Sequence, residues 1–237
     1  MMLLALTVFR DRNKLSFSKR NLGAVLALCA YIIGVSQAYL SLNAGLGTLL
    51  LCGGLQVAMF TGALLQRETL TRRKWIGAAL AFSGIVYLLS PSSSGIDPVG
   101  AGVMIVAGIG WGIYSIIGKA AKDPLYETAM NFLYAVPVVL LWLLLVPDTI
   151  HITARGITLA IIAGAVTSGL GYALWYAITP HLQTSTAAVT QLTVPIIVAA
   201  GGSMVLSEPI GLRFVIAAVL VLGGLGIAAY QREPKRS

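Results

Sequence analysis

Eight long apolar runs dominate this chain, and they limit its possible fold more than any other feature. A helix needs about 20 mainly apolar residues to cross the hydrocarbon core of a bilayer. All eight acidic residues lie at or beyond an end of a run, and no run alternates as a barrel strand does. The sequence therefore predicts an all-α polytopic membrane protein with eight complete transmembrane helices. The expected spans are Leu22–Leu42, Thr48–Leu65, Trp75–Ser90, Val99–Ile117, Leu125–Leu145, Gly156–Ala177, Thr184–Leu206 and Leu212–Tyr230.

The composition supports this class. Charged residues make up 10% of the chain and hydrophobic residues 57%, whereas soluble domains carry about 25% charged residues. A soluble globular domain is therefore excluded. The net charge of +8 could indicate a nucleic-acid partner, but the basic residues form short clusters between apolar runs. Membrane topology produces that distribution, so we expect contact with a lipid bilayer and no nucleic-acid partner.

Two stretches, Thr48–Ser90 and Thr184–Tyr230, share one layout. In each, an apolar run is followed by a short polar turn with a glutamate and then by a second apolar run. When Glu68 is aligned with Glu208, the stretches match at a spacing of 140 residues. The aligned pairs are Leu70 with Ile210, Ala78 with Ala218, Leu80 with Leu220 and Gly84 with Gly224. Because this period is too long for a solenoid, it predicts two halves of one membrane protein.

Alternate loops differ strongly in their content of Lys and Arg. One set carries fourteen basic residues, and the other carries only Arg155 and Arg213. The positive-inside rule then places the first set, together with the C-terminus, in the cytoplasm. The Glu68 turn is consequently expected inside and the Glu208 turn outside, so the two halves are inverted. Inverted repeats are typical of secondary transporters, which expose a site near the midplane to each side in turn.

Several short motifs occur in a defined order along both halves. They are Ala44–Leu65, Glu68–Leu70, Lys74–Ala78 and Trp111–Tyr114, then Gly171–Ala177, Gln191–Pro195, Ser207–Pro209 and Gly223–Gly224. Together they resemble the EamA-type transporters of the drug/metabolite transporter superfamily. The resemblance implies ten helices in two inverted five-helix repeats, both termini in the cytoplasm, and transport of small metabolites or drugs, often outward.

Compared with that pattern, the chain is expected to lack the first helix and part of the second. Met1–Phe9 is apolar but only about half of a span, so it is expected to be the end of a helix. The expected organisation is an incomplete first repeat over 1–90, a linker over 91–98, a second repeat over 99–230 and a basic cytoplasmic tail over 231–237. The expected location is a bacterial plasma (inner) membrane, which the chain would cross several times.

Polar and aromatic side chains inside the runs are candidates for the solute pathway. An unpaired amide is costly in a bilayer, so the glutamines are expected to face inward, toward solute or toward a partner helix. Trp111 and Tyr114 share a helix face, while Trp175 could instead anchor a helix end at the interface. The candidate pathway residues are Gln37, Gln56, Trp111, Tyr114, Trp175 and Gln191.

Glu68 and Glu208 each lie in a turn just before a new helix. A carboxylate in that position can accept backbone N–H bonds and interact favourably with a helix dipole. We therefore expect structural roles for both glutamates rather than proton coupling.

Motifs for enzymatic chemistry are missing from the sequence. It has no GxxxxGK[ST], HExxH or GxSxG motif, so we expect no catalytic residue, no cofactor and no metal. The expected partner is a small-molecule substrate. The small-residue faces Gly108–Gly112 and Gly224–Ala228 are expected to be contact faces between helices, and faces of this type would also permit a homodimer. The alternative function is that of a non-transporting, truncated membrane protein or a scaffold subunit.

Overall fold

A computed structural model describes residues 19–65, 71–89, 96–118, 123–146, 153–171, 174 and 194–229. Within these ranges the regular structure is helical, and no strand occurs. The helices are α1 (Lys19–Ala38), α2 (Ala44–Leu65), α3 (Arg72–Leu89), α4 (Pro98–Gly118), α5 (Pro124–Leu145), α6 (Ala154–Ile161), α7 (Val194–Leu206) and α8 (Leu212–Ala229). A π-helical segment, Ile162–Leu170, directly follows α6.

Within the described residues, each of the eight α-helices overlaps one predicted span, and several helix ends differ from the prediction. The first predicted span, Leu22–Leu42, stops being helical at Ala38, because the chain turns before Asn43. The helix α2 starts at Ala44, four residues before the predicted start, and its first turn is closed by the bond from the amide of Gly47 to the carbonyl of Asn43. The end of the sixth span and the start of the seventh lie outside the described residues, as does the predicted helix fragment at 1–9.

Three described segments are long and apolar enough to cross a bilayer. They are Ala44–Leu65, Pro98–Gly118 and Tyr126–Leu145, and they are mostly not buried within the protein itself. Shorter apolar helices cover Leu22–Ala38, Ala154–Val166, Val194–Leu206 and Leu212–Ala228. An all-helical chain that exposes this much apolar surface is consistent with a polytopic membrane protein.

The chain divides into two compact units. Unit one groups Met1–Cys29 with Tyr114–Leu182, and unit two groups Ala30–Ile113 with Gln183–Ser237. This division follows packing and is separate from the sequence repeat. The hydrophobic core of unit two contains Ala38, Leu42, Leu49, Leu50, Ile85, Leu88, Ala101, Met104, Ala217, Val221 and Leu225.

Glycines set the approach of α2 and α4 in unit two. A Cβ at Gly54 would collide with the carbonyl oxygen of Ile105, and a Cβ at Gly108 would collide with that of Leu51. A Cβ at Gly112 would meet the Cβ of Ala58 at 2.5 Å. The prediction that Gly108 and Gly112 form a helix contact face is therefore confirmed, and the close approach explains why larger residues are absent there.

The helices α3 and α8 form the second close pair of unit two, and they run antiparallel. Gly77 lies against the carbonyl oxygen of Gly224. Gly84 lies against the carbonyl oxygen of Ala217, which would be 3.0 Å from a Cβ added at Gly84. The Cβ of Ala228 would be 2.8 Å from a Cβ at Gly77. The predicted Gly224–Ala228 face is thus also a contact face.

Candidate functional site

An open cavity of about 380 Å³ lies in unit two. Its lining comes from the N-terminal turns of α2 and α8, the C-terminal end of α3, the middle of α7 and the connecting segments before α2, α4 and α8. Its walls are mostly apolar, with one carboxylate and one guanidinium among them. The cavity is lined by Asn43, Gly45, Leu46, Leu88, Ile96, Ala199, Glu208, Pro209, Ile210, Gly211, Arg213 and Phe214. We call it the Glu208 cavity.

Glu208 joins the end of α7 to the start of α2. Both of its carboxylate oxygens lie 2.9 Å from the backbone nitrogen of Ala44 and accept its N–H. An anion in this position satisfies a free amide and interacts favourably with the positive end of the helix dipole. Ser207, directly before it, has a φ of 56°, a left-handed conformation that costs a serine roughly 1 kcal/mol or more. The tertiary structure therefore holds Glu208 against α2 at some backbone cost.

This contact corrects one detail of the sequence prediction. A helix-capping role was expected for Glu208 because α8 follows it directly. The structure bears out the type of contact but shows a different helix, since the carboxylate binds the N-terminus of α2, which is 164 residues away. Glu68, for which the same role is expected, lies outside the described residues.

A second carboxylate caps the start of α4. Asp97 accepts a bond from the Ser41 hydroxyl at 2.7 Å and from the amide of Gly100 at 2.8 Å, while its other oxygen accepts the amide of Val99 at 3.2 Å. The hydroxyl of Ser41, and then the amide of Gly100, lower the pKa of the Asp97 carboxyl below its usual value. Asp97 therefore ties the loop after α1 to the N-terminus of α4 in its charged form.

Arg213 connects α8 to α3. Its Nη2 donates to the carbonyl oxygen of Tyr87 at 2.6 Å, and its guanidinium carbon lies 5.2 Å from the centre of the Tyr87 ring. A guanidinium at this distance from an aromatic face is attracted by the ring quadrupole. The one basic side chain among the residues that line the Glu208 cavity thus also holds two helices together.

Tyr39 and Thr48 complete the polar contacts at the start of α2. Their hydroxyl oxygens are 2.9 Å apart, and the Thr48 hydroxyl donates to the carbonyl of Ala44 at 2.8 Å. The backbone of Ala44 is therefore engaged through both its N–H and its carbonyl. These contacts fix the N-terminal turn of α2.

Three of the candidate pathway residues lie in unit two. Gln37 is in the last turn of α1 and Gln56 is near the middle of α2, and both are half-buried. Trp111 lies on α4 with its ring centroid 4.9 Å from that of Tyr31. None of these three lines the Glu208 cavity. Their role in a pathway stays a prediction.

Tyr114 lies in unit one and is only 6% exposed. Its hydroxyl donates to Oγ1 of Thr128 at 3.2 Å, so α4 and α5 share a buried polar contact. Sequence reasoning missed both Thr128 and Asn131, which are 3% and 4% exposed. The signal was available, because Asn131 is an amide inside a predicted membrane span, about two turns from its start. The remaining candidates, Trp175 and Gln191, lie outside the described residues.

The possible metal ligands among the described residues form no metal-binding group. Within the described ranges no three His, Cys, Asp or Glu residues come together in a way that could hold a metal ion. Cys29 is buried and Cys52 half-buried, and both are free thiols. The described side chains thus offer hydrogen bonds, aromatic surfaces and three carboxylates engaged at helix N-termini, those of Asp97, Asp123 and Glu208.

Known proteins with similar sequences identify the family of this chain. The profile of the EamA-like transporter family matches residues 98–230. An uncharacterized protein of Pseudomonas aeruginosa is 38% identical over 201 residues, which cover 85% of this chain and 70% of that protein. An uncharacterized transporter of Archaeoglobus fulgidus is 26% identical over 225 residues, covering 90% of this chain and 79% of the relative.

A third relative carries a functional name. A probable amino-acid metabolite efflux pump of Salmonella typhimurium is 27% identical over 209 residues, covering 82% of this chain and 70% of the pump. The family profile matches more than half of the chain, and the Pseudomonas relative matches most of it. This chain is a member of the EamA-like transporter family.

Proposed function

We propose that this chain is a secondary transporter that exports small organic metabolites or drugs across a bacterial inner membrane by alternating access. Family membership supports a membrane transporter. The amino-acid metabolite efflux pump among its relatives makes amino acids and their derivatives the first solute class to test.

The observation that carries the mechanism is the reciprocal contact between α3 and α8. Under the 140-residue alignment, Gly77 corresponds to Ala217 and Gly84 corresponds to Gly224. Gly84 lies against the carbonyl of Ala217, and Gly224 lies against the carbonyl of Gly77. Replacing each residue by its aligned counterpart turns the Gly84–Ala217 contact into the Gly224–Gly77 contact. This is what a two-fold axis between two antiparallel helices produces. This supports an inverted repeat, the arrangement on which alternating access depends.

The distribution of positive charge supports an orientation. The loop between α2 and α3 is rich in Arg and Lys, whereas the turn before α8 carries only Arg213. With both termini in the cytoplasm, the Glu208 cavity opens at the outer face. We propose that this cavity is the outer vestibule and that Gln56 and Trp111, nearer the middle of their helices, contact the solute deeper in the membrane.

Export can be tested by growth protection. Cells lacking their own exporters would express the chain, with membrane insertion confirmed, and would be challenged with toxic amino acids, purine analogues and aromatic cations. Protection against one solute class, with faster loss of that radiolabelled solute from preloaded cells, is the expected result. Insertion without protection or solute loss for any class would contradict the proposal and favour a scaffold subunit.

Gln56→Ala tests the deeper contact. It should weaken protection at least about threefold without reducing the amount of inserted protein, because it removes an inward-facing amide. Ser83→Ala is a matched control, since the Ser83 hydroxyl is exposed and donates within its own helix, to the carbonyl of Leu80 at 2.8 Å. Equal protection by the wild type and Gln56→Ala would remove Gln56 from the pathway.

A further inference from the structure

The amide of Asn131 is an unusual group in unit one. The side chain is 4% exposed, and among the described residues its Oδ1 has no hydrogen-bond partner. A buried polar atom without a partner costs about 1–3 kcal/mol, and in a membrane helix such groups are rare and often functional. A buried acceptor without a partner is explained if a ligand supplies the donor.

The neighbours of Asn131 show which way its face points. Thr128, Asn131 and Ala135 are three and four residues apart, so they lie on one face of α5. On that face, Thr128 receives the hydroxyl of Tyr114, and the carbonyl of Ala135 lies 4.0 Å from the thiol sulfur of Cys29. Asn131 is thus on a face that packs against α4 and α1 within unit one, away from lipid.

The buried contact beside Asn131 orders its surroundings. The bond between Tyr114 and Thr128 joins two side chains that are each at least nine-tenths buried. This bond holds the end of α4 against the first turns of α5. Asn131 lies one turn further along α5, about 10 Å from the start of that helix, so its amide is held at a defined depth.

We propose that Oδ1 of Asn131 is a binding position for an N–H or O–H donor of the transported solute. This rests on the proposed transport function and adds a specificity residue to it. A neutral amide oxygen accepts a hydrogen bond without requiring a charged solute. The chemical class is therefore small solutes with a primary amine, a primary amide or a hydroxyl group, and quaternary or fully N-methylated analogues are disfavoured.

Binding to the purified protein tests this site separately from transport. The probes are primary ammonium solutes, each paired with its N-trimethyl counterpart of equal charge, and primary amides, each paired with its N,N-dimethyl amide. A ligand that binds only the folded protein raises Tm. The wild type should bind the donor-bearing member of a pair about five- to tenfold more tightly, as expected for one hydrogen bond. Asn131→Leu should bind both members equally.

Two further variants separate a binding role from a structural one. Asn131→Ser keeps an oxygen acceptor and should retain part of the preference. Thr158→Val is the matched control in unit one, because the Thr158 hydroxyl is exposed and donates to the carbonyl of Ala154 in its own helix. It should bind like the wild type.

The stability of Asn131→Leu without solute gives a second readout. Because Oδ1 of Asn131 has no hydrogen-bond partner among the described residues, the Tm of Asn131→Leu should equal or exceed that of the wild type. A large fall in Tm would show that the amide is held by the protein itself and would overturn the proposal, as would a donor preference that survives in Asn131→Leu. If the wild type binds donor-bearing solutes selectively but exports none, the Asn131 site stands and the transport function is refuted. If the wild type and Asn131→Leu export equally well and with the same selectivity, the transport function stands and the Asn131 site is refuted.

Discussion

The polar groups of the two units are used in different ways. In unit two, the carboxylates of Glu208 and Asp97 accept backbone N–H bonds at helix starts, and Arg213 donates to a backbone carbonyl of α3. In unit one, the buried amide of Asn131 has an oxygen for which the described residues supply no donor. The two carboxylates are therefore engaged by the protein itself, whereas the neutral amide keeps an acceptor without a described partner.

Under the proposal for Asn131, charge alone is a poor guide to a binding site in such a chain. A carboxylate at a helix N-terminus is already satisfied, and a solute must compete with the protein for it. A buried neutral acceptor with no partner gains a full hydrogen bond when a donor arrives. Substitutions in unit two should consequently reduce stability, and substitution of Asn131 should change selectivity.

The largest effect should come from the packing that brings the helix ends of unit two together. Gly54→Leu would force a side chain into the backbone of α4 at Ile105, and we expect a loss of about 3 kcal/mol or more, or failure to accumulate. The measurement is the monodisperse yield and Tm of the purified protein. Gly102→Leu is the control, since nothing lies within 4 Å of a Cβ there. Equal yields for both variants would contradict the close α2–α4 contact.

A smaller effect is expected at the helix cap. Glu208→Ala removes the acceptor for the amide of Ala44 and should cost about 1–2 kcal/mol, while Glu208→Gln, which keeps an acceptor, should cost less. Thermal unfolding in detergent measures both. An unchanged Tm together with lost export would mean that Glu208 serves the solute rather than the fold, and the contrast between the units would fail.

The smallest effect concerns acid stability. The pKa of the Asp97 carboxyl is lowered in the folded protein, chiefly by the Ser41 hydroxyl. The charged carboxyl therefore adds its full share to the free energy of unfolding above the unfolded-state pKa of about 4, and this share is lost as the pH falls through the lower folded-state pKa. Ser41→Ala should reduce Tm slightly at pH 7 and make Tm less sensitive to acid. Ser36→Ala is the control, because the Ser36 hydroxyl is exposed and donates to the carbonyl of Ile32 in its own helix. The same acid profile for both variants would refute the coupling.

Much of the fold could be predicted from the sequence, because apolar runs of bilayer length leave few alternatives to helices. The contact faces at Gly108–Gly112 and Gly224–Ala228 were also predictable, since small residues at that spacing permit close approach. The start of α2 was not, because it depends on Glu208, which is far away in the chain. A helix cap supplied across 164 residues leaves no local signal.

The candidate site was less accessible to sequence reasoning. Glutamines and aromatic residues were selected by residue type, yet the structure shows Tyr114 bound to Thr128, which the sequence analysis did not consider. Whether an amide such as that of Asn131 is paired depends on which helices surround it, and that is a tertiary property. The pathway roles of Gln37, Gln56, Trp111 and Tyr114 remain predictions until transport is measured.

The reciprocal contact of α3 and α8 has a mechanical consequence. Gly77 with Gly224 at one end and Gly84 with Ala217 at the other make the same contact in opposite order. If α3 and α8 tilt against each other during transport, we expect these two contacts to open in turn, one with each direction of tilt. The side chains around them differ, since Ala228 packs at Gly77 and Leu220 with Val221 at Gly84, so we expect those side chains, the rest of the chain and the solute to set the preferred tilt.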